Sequence, residues 1–230
     1  MGRYFVRRTL QLIPVLFIIS LVVFVSMQLA PGDPAVMRMG RAAARPENQA
    51  ALERLRHEMG LDKPILVQYA IWLGSVLQGD FGDSSRSGRP VMQMIAGTLP
   101  ATIMLALVAF LISLVLSIPL GIVAALKQGT SLDRAIMAFA VAGVAVPAIW
   151  LGLTLILIFS VRLNWLPPAG YVPFTEDPAE SLKRVLMPAV TLSFYLTATF
   201  TRFLRADMIE VLNEDYIRTA RAKGLRERLV

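Results

Sequence analysis

The sequence contains no cysteine among its 230 residues, which excludes disulfide bonds, thiol nucleophiles and cysteine-ligated metal sites. It has a single histidine, His57, which leaves little material for a histidine-based metal site. Charged residues make up 17% of the chain and apolar residues 56%, whereas soluble domains have roughly 25% and about 45–50%. This composition lies outside the soluble range on both counts and is typical of an integral membrane protein.

Four stretches contain no Asp, Glu, Lys, Arg or His: residues 9–32, 90–126, 135–161 and 185–201. Roughly 20 helical residues cross a ~30 Å hydrocarbon core, and the first three stretches exceed that length. The fourth is slightly shorter, but long side chains in its flanks can reach the membrane surface. Because a backbone in lipid must satisfy its own hydrogen bonds, we predict an all-α integral membrane protein with four transmembrane helices.

The basic residues predict the orientation of these helices. Arg3, Arg7 and Arg8 precede the first stretch, Lys127 and Arg134 lie between the second and third, and more basic residues follow the fourth. Short, positively charged loops stay in the cytoplasm, so both termini should be cytoplasmic. The net charge of +7 is then a topology signal and not a sign of nucleic-acid binding. The first stretch could also be a cleaved signal peptide, but its length and the lack of a small-x-small cleavage site favour a retained helix.

Composition divides the chain into four parts. These are an N-terminal transmembrane helix (residues 1–32), a periplasmic segment (33–89), a core of three further spans (90–206) and a cytoplasmic loop (207–230). Within the periplasmic segment, Leu52, Leu55 and Met59 recur at helical spacing and predict a short amphipathic helix over residues 47–60. Residues 65–77 predict a second helix. His57 is expected on the surface of the first.

The four apolar stretches carry no ionisable side chain at mid-membrane depth. Proton-coupled pumps and many ion-coupled carriers need such a group to bind or relay charge. Membrane hydrolases need nucleophile–base pairs or metal ligands. Both classes are disfavoured, so if the protein moves a solute, the energy should come from another molecule.

The fourth stretch is the most polar of the four, and such a helix should face protein or a wet cavity. Its hydroxyl-bearing residues are Thr191, Ser193, Tyr195, Thr197, Thr199 and Thr201. We take Tyr195 and Thr197, with Trp150 of the third stretch, as candidate residues of a substrate path. Prolines at 100, 119, 147 and 188 fit either packing kinks or hinges along that path.

After the fourth stretch, residues 207–224 have the pattern of an amphipathic helix, with apolar and charged side chains on opposite sides. Glu214 and Arg218 are four residues apart in the favourable order for an ion pair. Gly224 is placed to end the helix. By composition alone this is either a membrane-surface helix, which is favoured, or a docking element for a partner.

Residues 213–225, Asn-Glu-Asp-Tyr-Ile-Arg-Thr-Ala-Arg-Ala-Lys-Gly-Leu, resemble the cytoplasmic loop of the inner-membrane permease subunits of bacterial ABC importers. The resemblance is to the dipeptide/oligopeptide/nickel branch in particular. Further features of that branch follow in order along the chain: the arginine-rich start and residues 29–34, 60–64, 79–82, 89–91, 119–121 and 165–168. The similarity covers essentially the whole sequence.

In that family the loop docks into a groove of the ATP-hydrolysing subunit and has the form Glu-Ala-Ala, three more residues, then Gly. The resemblance places the triplet at residues 218–220 and the glycine at Gly224. Only Ala220 and Gly224 keep the family residue type. The coupling residues implied by the resemblance are Glu214, Asp215, Arg218, Thr219, Ala220 and Gly224.

The resemblance also implies partners: a second permease subunit, two ATP-binding subunits, a periplasmic solute-binding protein that contacts residues 33–89, and membrane lipid. The sequence has no Walker-type phosphate loop, so ATP and Mg should bind the partner subunits and this chain should bind no cofactor. Family members have six spans, with two after this loop. We therefore expect a fragment or a shortened permease.

The implied function is the transmembrane subunit of an ATP-driven importer that moves a small solute, di- or oligopeptides above all, across the bacterial inner membrane. Glutathione and nickel chelates fit the same branch. The alternative is a non-transporting membrane scaffold or channel whose basic tail binds anionic lipid.

Overall fold

A computed structural model describes residues 2–29, 32–84 and 87–226. In these ranges the regular secondary structure is helical, apart from one isolated antiparallel bridge between Asp83 and Pro90. Contacts divide the chain into two compact units, Met1–Gly97 and Thr98–Val230. Two residues of the 29–34 motif, Ala30 and Pro31, and residues 227–230 of the predicted cytoplasmic loop lie outside the described residues.

The α-helices in chain order are α1 (Gly2–Leu29), α2 (Pro34–Met39), α3 (Gln49–Glu58), α4 (Ile65–Leu77), α5 (Val91–Leu126), α6 (Ser131–Ala145), α7 (Ala148–Leu155), α8 (Pro178–Leu212) and α9 (Asp215–Ala222). Two short 3₁₀ turns, Gly40–Ala44 and Pro46–Asn48, lie between α2 and α3. A π-helical stretch, Ile156–Arg162, continues α7.

Within the described residues, two helices are long and apolar enough to cross a membrane, Val6–Leu29 and Val91–Leu126. The pair Ser131–Ala145 and Ala148–Arg162 makes a third candidate if the two halves count as one span. The first two predicted spans therefore appear as single helices. Of the four spans predicted, the structure supports two or three.

The prediction of one continuous helix over residues 135–161 is wrong. α6 ends at Ala145, Val146 is extended with ψ 122°, and Pro147 precedes α7. Proline has no backbone N–H and its ring disfavours helical geometry in the residue before it. The two halves meet at 98°, the geometry of a broken span or a re-entrant loop.

α8 contains the predicted fourth span but extends beyond it at both ends. Its start is capped by Asp177, whose Oδ1 accepts hydrogen bonds from the backbone N–H groups of Ala179 and Glu180, both at 3.0 Å. Such a cap satisfies donors that have no partner inside the helix. α8 is not among the helices that are both long and apolar enough to count as candidate spans.

In the first unit, α4 packs on α1 through aromatic rings. Tyr69 is buried and its ring lies edge-on to Phe17 and Phe24, with centroid separations of 5.7 and 5.5 Å. The Tyr69 hydroxyl is 2.7 Å from Ser20 Oγ, so the polar end of the ring is also satisfied. The predicted helix over residues 65–77 is confirmed with the same bounds.

The predicted amphipathic helix over residues 47–60 is confirmed as α3. Leu52 is buried against Ala35 and Ala43, and Gly60 follows the helix with φ +67°. The side chain of His57 is 80% exposed, as expected, and its Nδ1 lies 2.8 Å from Asp62 Oδ2.

Asp33 links α2 to α3. One of its carboxylate oxygens accepts from the Ala35 N–H at 2.9 Å, and the other accepts from Arg56 Nε at 2.7 Å. Partial burial raises the pKa of Asp33, but the hydrogen bonds from Arg56 and Ala35, with the charge of Arg56, outweigh burial and hold the pKa below its usual value.

In the second unit, α6 and α8 pack closely through small residues. A Cβ placed on Gly143 would lie 2.6 Å from Ala198 Cβ, closer than real side chains approach. Phe139 and Phe194 add an edge-on ring contact at 5.3 Å. Small residues are the usual means by which membrane helices bring their backbones together.

Candidate functional site

The predicted coupling residues lie at the junction of α8 and α9. The prediction of a single amphipathic helix over residues 207–224 is wrong, because α8 ends at Leu212 and α9 begins at Asp215. Asn213 Nδ2 donates to the Ile209 carbonyl at 2.8 Å, and Glu214 is extended with ψ 149°. Asparagine side chains compete with the backbone for such carbonyls, which favours a helix end.

The pairing of charges on α9 also differs from the prediction. Arg218 Nη1 lies 3.5 Å from Asp215 Oδ1, one turn away, in place of the expected pair with Glu214. Both side chains are largely exposed, so this contact contributes little to stability and leaves both groups accessible to a partner. Thr219 Oγ1 donates to the Asp215 carbonyl at 2.8 Å.

Gly224 ends this region as expected. Its φ is +77°, a left-handed conformation that glycine adopts at little cost, and its N–H donates to the Arg221 carbonyl at 2.9 Å. A Cβ placed there would meet nothing within 4 Å, so only the backbone conformation requires glycine. We call residues 213–225, which include α9, the docking segment.

The docking segment presents one face outward. Ile217 is buried, Ala220 is half-buried, and Tyr216 and Leu225 are exposed apolar side chains. The remaining predicted coupling residues, Glu214, Asp215, Arg218, Thr219 and Gly224, are all exposed. The structure therefore brings all six together on one short helix and its two ends.

An ion pair that the sequence did not reveal lies before the docking segment. Arg205 of α8 donates from Nε to Asp133 Oδ1 at 2.6 Å and from Nη2 to Oδ2 at 2.8 Å. Asp133 is in the first turn of α6 and only 4% exposed. Thr130 and Asp133 have the spacing of a helix start, but nothing local indicates a partner far along the chain.

The three predicted path residues differ in their exposure. Trp150 and Tyr195 are 60% and 54% exposed, whereas Thr197 is 1% exposed. The hydroxyls of Thr197, Thr199 and Thr201 find no hydrogen-bond partner among the described residues. A cavity of about 460 Å³ does lie beside α8, and none of the three is among its described lining residues.

That cavity is mostly apolar with one charged side chain at its edge. Its lining includes Gly152, Met187 and Thr191. Arg184 also lines it, and donates to Glu180 Oε1 at 2.9 Å and to the Ala169 carbonyl at 3.0 Å. The guanidinium is therefore already paired within the chain.

Comparison with known proteins gives a consistent result over nearly the whole chain. Residues 117–230 match the family described as binding-protein-dependent transport system inner membrane component, and residues 1–106 match the N-terminal component of the same systems. The chain belongs to this permease family. The predicted resemblance is confirmed.

Individual permeases agree with the family match. The chain is 42% identical over 221 residues to a putative peptide transport system permease protein of Brucella abortus, covering 96% of this chain and 69% of that protein. It is 39% identical over 233 residues to the oligopeptide permease AppB of Bacillus subtilis (100% and 72%). It is 41% identical over 230 residues to the glutathione permease GsiC of Pectobacterium atrosepticum (100% and 71%).

Family membership makes the chain an inner-membrane permease subunit of an ABC importer, in which separate subunits hydrolyse ATP and a binding protein delivers the solute. The match to residues 117–230 includes the described part of the docking segment, and the match to residues 1–106 includes the segment predicted as periplasmic. The roles of individual coupling residues remain predictions.

Proposed function

We propose that this permease translocates di- or oligopeptides across the bacterial inner membrane, driven by ATP hydrolysis in partner subunits. The observation that carries the proposal is the exposed docking segment, with Gly224 after its helix, within the region that matches the family. Peptide and glutathione transport are the functions named for its relatives, and glutathione is itself a small peptide.

We further propose that both ends of the described chain are cytoplasmic and that α8 provides a fourth span. The basic residues at the N-terminus, between α5 and α6 and after α8 support this orientation. Residues 33–89 then face the periplasm and contact the solute-binding protein. On the other side, the docking segment contacts one of two ATP-binding subunits, which hold ATP and Mg, and a second permease subunit completes the path.

The mechanism follows from the position of the docking segment at the end of a long helix. When the ATP-binding subunits close on ATP, they displace α9, and the Glu214 junction transmits that displacement to α8. α8 spans 35 residues, roughly 50 Å at 1.5 Å per residue, so motion at its end reaches the cavity beside Met187 and Thr191. Rigid-body movement of packed helices then alternates access between the two sides.

The experiment is uptake of labelled di- and oligopeptides by cells or proteoliposomes that contain the complete transporter. Gly224→Asp should abolish most ATP-driven uptake while the permease stays in the membrane, since aspartate, which tolerates the left-handed conformation about as well as asparagine, places a negative charge at the docking surface. Gly224→Asn is the matched control, because asparagine tolerates the left-handed conformation and adds no charge. Normal uptake by the aspartate variant would contradict the proposal.

Co-purification separates this proposal from a non-transporting scaffold with a lipid-binding tail. An importer subunit should retain a Walker-type ATPase in detergent, and Gly224→Asp should weaken that association. A scaffold should retain no ATPase and should show salt-sensitive binding of its tail to anionic vesicles. Nickel-chelate uptake without peptide uptake would correct the solute class but not the transport role.

A further inference from the structure

The end of α8 is held by one buried carboxylate. Asp133 accepts two hydrogen bonds from Arg205 and a third from the Gly129 N–H at 2.9 Å, so three donors converge on its two oxygens. Bidentate arginine–carboxylate pairs fix orientation as well as distance. Asp133 is 4% exposed, so water competes little for these bonds.

The turn that carries Asp133 is itself well ordered by hydrogen bonds. Thr130 Oγ1 donates to the Lys127 carbonyl at 2.6 Å and accepts from the Asp133 N–H at 3.4 Å. Gly129 is left-handed with φ +78°, which directs its N–H to the Asp133 carboxylate. These hydrogen bonds hold the connection between α5 and α6 in place, and with it the carboxylate that binds Arg205.

Arg205 lies two helical turns before the end of α8 at Leu212, about 10 Å along the helix axis. The docking segment begins at the next residue. A contact that fixes Arg205 therefore fixes the point from which α9 projects. It also connects α9 to α6, which leads through the Val146–Pro147 bend into α7.

We propose that the Asp133–Arg205 pair is a positioning contact for coupling: it makes α6 and α8 move as one body when the docking segment moves. Displacement of α9 then reaches α7 as well as α8. Gly152 of α7 packs on Thr191 of α8 at the cavity, where a Cβ on the glycine would be 3.6 Å from Thr191 Oγ1. This inference rests on the proposed transport function.

The other packing between α6 and α8 is less directional. Gly143–Ala198 and Phe139–Phe194 are van der Waals and ring contacts that can slide or rotate. In contrast to these two contacts, the ion pair has defined donors and acceptors, which fix the position of α8 along α6. Loss of the pair should leave the helices packed but allow α8 to move without α6.

The test measures peptide uptake and ATP hydrolysis together in proteoliposomes that contain the complete transporter. Asp133→Asn keeps the shape of the side chain and a carbonyl that can accept from Gly129 but removes the charge. We expect uptake per ATP hydrolysed to fall severalfold, because α8 can then move without α6. ATPase subunits should still co-purify.

Two further variants separate positioning from folding. Arg205→Lys keeps the charge but loses the two-pronged geometry, so its uptake per ATP should lie between the wild-type and Asp133→Asn values. Exchange of the two residues, Asp133→Arg with Arg205→Asp, should recover part of the lost coupling. Lys127→Gln is the matched control, since it removes a positive charge from the same connection at an exposed side chain and keeps the backbone carbonyl that accepts from Thr130, and it should couple normally.

The outcomes distinguish this inference from the proposed function. Wild-type protein that neither transports peptide nor retains an ATPase would overturn the proposed function. An active wild type with normal uptake per ATP in Asp133→Asn would overturn the positioning role alone. If Asp133→Asn and Arg205→Lys both fail to assemble, the pair is a folding requirement and the coupling role is likewise overturned.

Discussion

The helix pairs α1–α4 and α6–α8 share edge-on ring contacts but differ in how closely their backbones approach. Between α1 and α4 the contacts are large rings, with Tyr69 and Trp72 of α4 set against Phe17 and Phe24 of α1. Between α6 and α8 the closest approach is at small residues, where Gly143 meets Ala198, and many of the other buried residues of the two helices are small as well, among them Ala140, Ser193, Thr197 and Thr201. The first pair is held by a cluster of rings and a hydrogen bond at the Tyr69 hydroxyl. The second adds a close backbone approach at Gly143 and the Asp133–Arg205 ion pair to a single ring contact.

The two helix pairs obtain their free energy of association from different sources. Large rings give an extended contact area and a favourable edge-on geometry, which suits a helix such as α4 that is shorter than the candidate spans. In lipid, apolar area gives no hydrophobic gain, so close van der Waals contact becomes the main source. A larger side chain at such a position would push the two backbones apart and weaken that contact.

The largest effect is expected from filling the closest α6–α8 contact. Gly143→Leu forces a side chain into the space of Ala198 and the Phe194 carbonyl, which a Cβ would already approach to 3.3 Å. Overpacking of this kind costs about 1–3 kcal/mol, and a leucine against backbone falls at the upper end. Thermal unfolding in detergent, followed by circular dichroism, measures the loss.

Gly97→Leu is the control for that prediction. Gly97 is also in a long helix, α5, but a Cβ there meets nothing within 4 Å. Leucine has the better helix propensity, so this variant should match or slightly exceed the wild-type stability. Equal loss in both variants would contradict the view that α6 and α8 depend on backbone approach.

A smaller effect is expected from the polar end of the α1–α4 contact. Tyr69→Phe keeps the ring but removes the hydroxyl that lies 2.7 Å from Ser20 Oγ. Loss of such a hydrogen bond costs about 0.5–1.5 kcal/mol. Faster hydrogen exchange of the α4 amides should report it.

Tyr4→Phe serves as the control, since it also removes a tyrosine hydroxyl, but from an α1 residue that is 69% exposed. It should leave exchange in α4 unchanged. If Tyr69→Phe also leaves α4 unchanged, the rings alone hold the pair, and the contrast with α6–α8 becomes one of side-chain size only.

The sequence predicted most of these helices because their signals are local. The stretch 65–77 has an apolar pattern bounded by Pro64 and Gly79, and α4 has the predicted bounds. α5 ends at Leu126, where the second charge-free stretch ends. Gly224 was predictable as a helix end because few other residues adopt its left-handed conformation at so little cost.

The errors arose where tertiary contacts decide. Pro147 indicates a disruption, but a proline allows either a kink or a complete break, and no local signal distinguishes a kink from the 98° break that the structure has. Arg205 and Asp133 are far apart in sequence, and no local pattern connects them. Arg218 could pair with Glu214 or with Asp215, and the helix start after Glu214 selected Asp215.

The smallest effect concerns pH and the ion pair that joins α2 to α3. The pKa of Asp33 is lowered in the fold, so its pairing with Arg56 stabilises the folded segment above the pKa of the unfolded chain, near 3.8. That contribution is lost as the pH falls through the lowered pKa. Hydrogen exchange of the α3 amides, corrected for intrinsic rates, should show less protection at about pH 3 than at pH 6.

Asp33→Asn tests the assignment, because asparagine can still accept from the Ala35 N–H but carries no charge to lose. In this variant the α3 amides should be less protected than in the wild type at pH 6, and protection should change little between the two pH values. A wild-type pH response that persists in Asp33→Asn would assign it to another carboxylate, such as Asp62 beside His57. The Gly143–Ala198 contact has no titratable group and should not respond over this pH range, whereas the Asp133–Arg205 pair of the second unit contains a buried carboxylate of its own.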